Sequence, residues 1–87
     1  MDDGNAMQVT VKFFSFLQSI TGQARLSVEL PEGTALAELS SSLYRQFDGL
    51  AAIEHQTVML INRQRASPET ILRQGDDVLL LPFLGGG

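Results

Sequence analysis

The sequence predicts an α+β domain in which a mixed sheet of four or five strands packs against one main helix. Two observations support this: segments typical of strands occur near both ends of the chain, the first two of them alternating with period two, and a single helical stripe lies between them. Strands and helices do not alternate regularly, which argues against a doubly wound parallel sheet. At 87 residues the chain has room for one such domain around one core.

The first part of the chain predicts two strands joined by a short helical connector. Residues 8–14 (QVTVKFF) alternate apolar and polar side chains, as a strand with one buried face does. Residues 15–22 are expected to form one or two helical turns that end at Gly22 in the left-handed conformation. A second alternating strand covers residues 26–30 and stops at Pro31.

The middle of the chain predicts the main helix. Thr34 is the expected N-cap, because its hydroxyl can accept a hydrogen bond from a free N–H group of the first turn. An apolar stripe at helical spacing follows, comprising Leu36, Leu39, Leu43 and Phe47. Gly49 is expected just beyond the helix C-terminus, and residues 50–56 are expected to form a loop.

The last part of the chain predicts three further strands and one helical turn. Residues 57–61 (TVMLI) favour a strand, and residues 62–65 indicate a turn into a short return strand. Ser67 and Pro68 are expected as the N-cap and first residue of a single helical turn. After a turn at Gly75, residues 77–83 (DVLLLPF) form the last strand.

Composition excludes several classes of function. The chain has no cysteine and one histidine, His55, so we expect no metal site and no thiol nucleophile. Its formal charge is −4 and its six bases are scattered, which argues against nucleic acid as a partner. It contains no apolar run of the roughly 18 residues that a membrane span needs. We expect a cytoplasmic protein whose acidic residues 1–6 form a disordered leader.

The last strand is apolar on both of its faces. Leu79, Leu81 and Phe83 lie opposite Val78 and Leu80, yet the sequence contains only one helix long enough to cover a face. An exposed apolar face on a small protein usually marks an interaction surface. The alternative is that the connectors at residues 16–20 and 50–53 fold over this second face.

The chain ends in Leu84, Gly85, Gly86 and Gly87. Terminal glycines are often only a frayed end. These follow an apolar strand without a polar spacer, and the remaining sequence offers no better nucleophile, acid–base pair or metal cluster. A tail without Cβ atoms can thread a narrow channel and leaves its terminal carbonyl unhindered. Fully extended, residues 84–87 reach about 13 Å, from roughly 3.3 Å per residue.

The segments VKFFSFLQSITG, LPEGTALAEL, VMLIN and QGDDVLLLPFLGGG, in this order, resemble the MoaD branch of the MoaD/ThiS family of sulfur carriers. The resemblance covers residues 7–87. It implies a ubiquitin-like β-grasp domain over residues 7–83, with the first and last strands as parallel neighbours in mid-sheet. Residues 84–87 would be a flexible tail.

The resemblance also implies a function. The Gly87 carboxylate would be adenylated and then thiocarboxylated, with Gly86 as its slim neighbour, to supply sulfur for the dithiolene of molybdopterin. The expected partners are a MoeB/ThiF-like adenylyltransferase, which uses ATP, and a MoaE-like large synthase subunit. They would contact Leu79, Leu81, Phe83, Leu84 and Gly85. The chain itself would bind no cofactor and would not be an enzyme on its own.

Four other interpretations stay open, and one of them is a carrier that supplies sulfur for a different product. The Phe-x-Gly-Gly-Gly ending also occurs in thiamine-pathway carriers, although these usually join the first two strands by a tight hairpin. A ubiquitin-like protein modifier shares the activation chemistry, so the sequence does not separate it from a sulfur carrier. A plain binding module would have inert glycines, and their removal would then leave its function unchanged.

Overall fold

The first and last strands lie side by side in the middle of one mixed sheet, in a computed structural model that describes residues 6–83. The strands are β1 (Ala6–Phe13), β2 (Arg25–Pro31), β3 (Thr57–Ile61), β4 (Gln64–Arg65) and β5 (Asp77–Pro82). The helices are α1 (Leu17–Thr21), α2 (Leu36–Gln46) and α3 (Asp48–Ala52), followed by a 3-10 turn at Glu54–Gln56. The five strands are arranged in the order β2-β1-β5-β3-β4.

The pairing of β1 with β5 is parallel and runs from Thr10 opposite Asp77 to Phe13 opposite Leu80. This confirms the mid-sheet neighbours that the family resemblance implied. The remaining pairs of strands, β1 with β2, β3 with β5 and β3 with β4, are antiparallel. β1 begins at Ala6, the last residue of the predicted leader, and residues 1–5 lie outside the described part of the chain.

The expected end of the first connector is confirmed. Gly22 follows α1 with φ 80°, and its N–H donates to the Gln18 carbonyl oxygen. Glycine takes this left-handed conformation without the steric cost of a Cβ atom. The predicted turn after β3 is also present, with Asn62 and Arg63 both at positive φ. In the described part of the chain, no helix has the length and apolar character that crossing a membrane requires.

The predicted N-cap of α2 is wrong by one residue. Ala35 occupies that position, and its N–H donates to Glu38 Oε1 at 3.2 Å. Thr34 is buried, and its hydroxyl instead donates to the Pro31 carbonyl oxygen at 2.7 Å. The threonine therefore closes the turn after β2 and does not cap the helix.

A distant segment supplies acceptors to the start of α2. The N–H groups of Leu36 and Ala37 donate to the carbonyl oxygens of Thr70 and Pro68, at 2.8 and 2.9 Å. The predicted helical turn after Ser67 is wrong, because this segment forms only a β-turn, closed by the Thr70 N–H on the Ser67 carbonyl oxygen. Its carbonyl oxygens accept hydrogen bonds from the first N–H groups of α2, and the segment forms no helix itself.

The predicted end of α2 is also wrong. The helix stops at Gln46, Phe47 is extended at φ −121°, and a second helix, α3, starts at Asp48. Residues 50–56, expected to be a loop, contain the rest of α3 and the 3-10 turn. Leu50 is fully buried, so this segment contributes to the core. Gly49 lies inside α3, where the absence of a side chain matters for helix packing and not for a helix end.

Gly49 allows α3 to pack closely on α1. A Cβ atom at this position would lie 2.6 Å from Ile20 Cγ2. In an open helix, Gly→Ala stabilises by roughly 0.5–1 kcal/mol. Here we expect Gly49→Ala to lower the free energy of unfolding by about 1–3 kcal/mol, the cost of overpacking. In an Ile20→Ala background the same change should be neutral or stabilising, as urea unfolding can measure. An equal loss in both backgrounds would contradict this contact.

All three helices cover the same face of the sheet. Leu17 of α1 and Leu50 of α3 join one buried cluster with the inward side chains of α2, β1 and β5. That cluster comprises Met7, Val9, Val11, Phe13, Leu17, Leu36, Leu39, Leu43, Leu50, Leu72, Val78 and Leu80. The connectors therefore do not fold over the second face of the sheet. That face, termed here the open face, carries no helix in the described part of the chain.

Candidate functional site

Apolar side chains gather on the open face where β5 lies beside β3. Successive residues of a strand point to opposite faces, so Leu79 and Leu81 point away from the buried Val78 and Leu80. Their partners across β3 are Leu60 and Val58. Two aromatic residues at the strand ends extend this surface. The open-face patch, as we name it, comprises Phe14, Val58, Leu60, Leu79, Leu81 and Phe83.

The two aromatic residues are placed by hydrogen bonds that continue the ladders beyond the strands. The Phe14 N–H donates to the Leu80 carbonyl oxygen, and the Phe83 N–H donates to the Gln56 carbonyl oxygen. Side chains continue to alternate beyond the strand ends. The Phe14 side chain therefore lies on the open face, on the other side of the sheet from the buried Phe13, and Phe83 lies on the same face as Leu81. Phe14 is 37% exposed and Phe83 is 58% exposed, so both present aromatic surface to solvent.

Exposure along β5 rises toward the tail. Leu79 is only 7% exposed, Leu81 is half-buried and Phe83 is the most exposed of the three. Leu79 is covered by its neighbours, since Lys12 lies opposite it on β1 and Leu60 opposite it on β3. The residues predicted to contact a partner therefore differ in accessibility. Leu79 forms the buried base of the patch, and Phe83 forms its solvent-exposed end.

An ion pair borders the patch at its other end. Lys12 Nζ lies 3.3 Å from Asp77 Oδ2, with both side chains partly exposed. A pair this accessible contributes at most about 1 kcal/mol to stability. Together with Arg25 and Glu29 on β2, it makes the remaining open face polar. The apolar surface is therefore concentrated at the end of the sheet where the chain leaves β5.

The tail itself lies outside the described residues. Leu84, Gly85, Gly86 and Gly87 follow Phe83 directly, so their point of departure is known although their structure is not described. β5 is held on one side by β1 and on the other by β3. The predicted carrier group is thus attached to a central strand, beside the exposed end of the open-face patch.

A second concave feature lies elsewhere, between α2 and β3. This groove of about 620 Å³ is lined by residues that include Ala37, Ser40, Tyr44, His55 and Met59. Burial raises the pKa of the Tyr44 phenol, so the group stays protonated at neutral pH. No residue predicted for the site lines the groove within the described part of the chain. Across residues 6–83, no group of three or more His, Cys, Asp or Glu side chains could hold a metal ion.

Three patch residues were missed by the sequence reasoning. Phe14, Val58 and Leu60 all lie in segments that were predicted to be strands, but residues 57–61 are almost entirely apolar, so their sequence does not show which side chains face the core. What the pattern could not show was that this side of the sheet stays uncovered. That depends on which face of the sheet α1 and α3 pack against, and this is decided by tertiary structure and not by local sequence.

Comparison with known proteins gives a consistent result. A profile of the ThiS family matches residues 11–87. The molybdopterin synthase sulfur carrier subunit of Drosophila ananassae is 28% identical over 88 residues, spanning 98% of this chain and 97% of that protein. The corresponding subunit of Arabidopsis thaliana is 22% identical over 86 residues, spanning 99% and 90%.

Solved structures share the architecture. The small archaeal modifier protein 1 from Methanosarcina acetivorans superposes with a TM-score of 0.76 at 24% identity, over 97% of this chain and 100% of that one. A likeness at this identity concerns the fold alone. Together with the strand order and the helix packing, it confirms the ubiquitin-like β-grasp that the family resemblance implied.

Proposed function

This chain belongs to the ThiS family, and from that membership we propose that it is a sulfur carrier acting as the small subunit of a molybdopterin synthase. The reacting group is the C-terminal carboxylate of Gly87. The chain is a cosubstrate and not an enzyme on its own. It binds no cofactor, because ATP is held by the activating partner, an adenylyltransferase of the MoeB/ThiF type.

The proposed chemistry has two steps. A carboxylate oxygen of Gly87 attacks the α-phosphate of ATP, and pyrophosphate leaves. Hydrosulfide then attacks the carbonyl carbon of the acyl adenylate, AMP departs with the former carboxylate oxygen, and a thiocarboxylate remains. Neither Gly86 nor Gly87 has a Cβ atom, so the carboxylate is an unhindered nucleophile in the first step and its carbonyl carbon is open to attack in the second.

The observation that carries the proposal is the open-face patch beside the exit of the tail. A partner can bind the folded domain through this patch while the tail extends into the partner's own active site. Ordering four tail residues costs roughly 1–2 kcal/mol for each. Burial of apolar surface at about 25 cal/mol per Å² offsets that cost, because Phe83 and Phe14 are largely free to be covered.

The same patch suits the second proposed partner. A MoaE-like large subunit takes the thiocarboxylated tail and transfers its sulfur to a pterin precursor, which becomes the dithiolene of molybdopterin. The helical connector α1 between β1 and β2 supports this branch over thiamine-pathway carriers, which usually join these strands by a tight hairpin. The two curated relatives described above bear the name of the same synthase subunit.

Reconstitution with alternative partners tests the pathway. Thiocarboxylated chain is mixed with a molybdopterin synthase large subunit and pterin precursor, or with a thiazole synthase and its substrates. We expect dithiolene formation in the first mixture and no thiazole in the second. Thiazole formation alone would assign the chain to thiamine synthesis. Protein conjugates that depend on Gly87, without sulfur transfer, would favour a ubiquitin-like modifier.

A further inference from the structure

β2 leaves a complete edge of the sheet unpaired within the described residues. It pairs with β1 on one side only. The Phe13 N–H donates to the Ala24 carbonyl oxygen, and this fixes which residues of the antiparallel ladder face β1. By alternation, Arg25, Ser27 and Glu29 direct their N–H and C=O groups outward. No described residue forms a backbone hydrogen bond with these outward groups.

Apart from the charged side chains of Arg25 and Glu29, this edge lacks the usual protections against association. Sheet edges are commonly blunted by a bulge, a proline, an inward charge or a very short strand. β2 has seven residues in unbroken register with β1, and its proline, Pro31, comes only at the end. Its inward side chains, Leu26, Val28 and Leu30, are only half-buried. The edge therefore offers both backbone groups and apolar surface to a further strand.

We propose that two copies of this chain pair antiparallel through β2, about a two-fold axis at Ser27. In this register Ser27 exchanges two hydrogen bonds with Ser27 of the second copy. Arg25 of each copy lies opposite Glu29 of the other and exchanges two more. All six outward backbone groups are then satisfied.

The charges select both the occupant and the register. With Ser27 at the axis, each positive Arg25 meets a negative Glu29 on the open face, twice in the dimer. Centring the pair on Arg25 or on Glu29 would place like charges opposite each other. Within each copy Arg25 lies opposite Lys12, so a carboxylate from the second copy also relieves that repulsion. A strand with this pattern is complementary to itself, as an isologous interface requires.

The helix side of the sheet agrees with this register. Leu26 of one copy lies opposite Val28 of the other, so half-buried apolar side chains cover each other across the axis. The result is one continuous sheet built from both copies. β1 separates β2 from β5, so the pairing of the two copies leaves β5 and its neighbour β3, with the exposed end of each open-face patch, away from the interface. The inference does not depend on the proposed function.

Sedimentation of the full chain from micromolar to millimolar concentration tests the dimer. We expect a monomer–dimer equilibrium that Arg25→Glu weakens by about tenfold or more, because two attractive pairs become repulsive. Glu29→Arg should act similarly, and the double variant R25E/E29R should restore association. Arg45→Glu, on the exposed side of α2, makes the same charge change as Arg25→Glu and should have no effect. Circular dichroism of each variant checks that it is folded.

A proline at the axis gives an independent test. Ser27→Pro removes an outward N–H that has no partner within the described part of the monomer, so the domain should stay folded while dimerisation is lost. A wild-type chain that is monomeric at every concentration would overturn the proposal. So would a dimer that survives both Ser27→Pro and Arg25→Glu, since its interface would lie elsewhere.

Discussion

Deletion of Gly86 and Gly87 is expected to reduce sulfur loading to background while leaving the domain folded. The shortened tail still ends in a glycine carboxylate, but it falls short of its former reach by about 6.6 Å, from roughly 3.3 Å per residue. Misplacing a reacting group by about 1 Å can already cost 100-fold in rate. Loading is measured as thiocarboxylate formed by the activating enzyme with ATP and a sulfur source.

The stability of the domain and a matched variant provide the controls for this deletion. The sheet, the helices and the buried cluster are built from residues 6–83, and the deletion leaves all of these residues in place. The free energy of unfolding should therefore change by no more than about 0.5 kcal/mol. Gly87→Ala is a matched variant, because it keeps the length and the carboxylate and adds only a methyl group beside the carbonyl. We expect it to load more slowly than wild type and faster than the deletion. Normal loading of the shortened chain would refute the role of Gly87.

Phe83→Ser should weaken binding of the synthase large subunit by about 30-fold or more. Aromatic residues that become fully covered commonly contribute about 2 kcal/mol or more to an interface, which corresponds to this factor. Phe83 combines high exposure with a position between the open-face patch and the tail. Titration calorimetry with the large subunit measures the dissociation constant directly.

Ile71 offers a matched control for Phe83. It is 51% exposed, similar to Phe83, but it pairs with Ala35 near the start of α2, away from the open face. Ile71→Ser should leave the affinity within about twofold of wild type, as expected for a surface residue outside an interface. If both variants lose affinity equally, or if only Ile71→Ser loses it, the large subunit does not dock on the open-face patch.

The strands of this fold could be predicted from sequence because each has a local signal: residues 8–14 and 26–30 alternate, and residues 57–61 and 77–83 are apolar runs bounded by turns. The segments around Val9, Val28, Met59 and Leu80 all proved to be strands close to the expected limits. The helix ends were less predictable, since distant groups decide them. Thr34 has the chemistry of an N-cap, but the carbonyl oxygens of Pro68 and Thr70 already serve the start of α2, and the threonine closes a turn instead.

Gly49 shows the same limitation at the other end of α2. A glycine after an apolar stripe normally indicates a helix end. Here the chain turns at Phe47 and a second helix begins, so that Gly49 can meet Ile20 at close range. This glycine is needed for a contact between α1 and α3, whose contacting residues are about thirty positions apart in sequence. Local sequence pattern does not predict such a contact.

The candidate site was predictable on one strand only. Leu79, Leu81 and Phe83 stood out because both faces of β5 are apolar, which is visible in a single segment. Phe14, Val58 and Leu60 join them only through the sheet register and through the packing of α1 and α3 on the other face. The roles of Leu84, Gly85, Gly86 and Gly87 stay predictions, since these residues lie outside the described structure.

The central claim is that a rigid domain offers its last carboxylate to another protein for conversion to a thiocarboxylate. The most direct measurement is intact-mass and fragment analysis of the full chain after incubation with its activating enzyme, ATP and a sulfur donor. We predict that one oxygen is replaced by one sulfur, and that the fragments assign the change to Gly87. An unmodified carboxylate after incubation with an active enzyme, or sulfur located elsewhere in the chain, would contradict the claim.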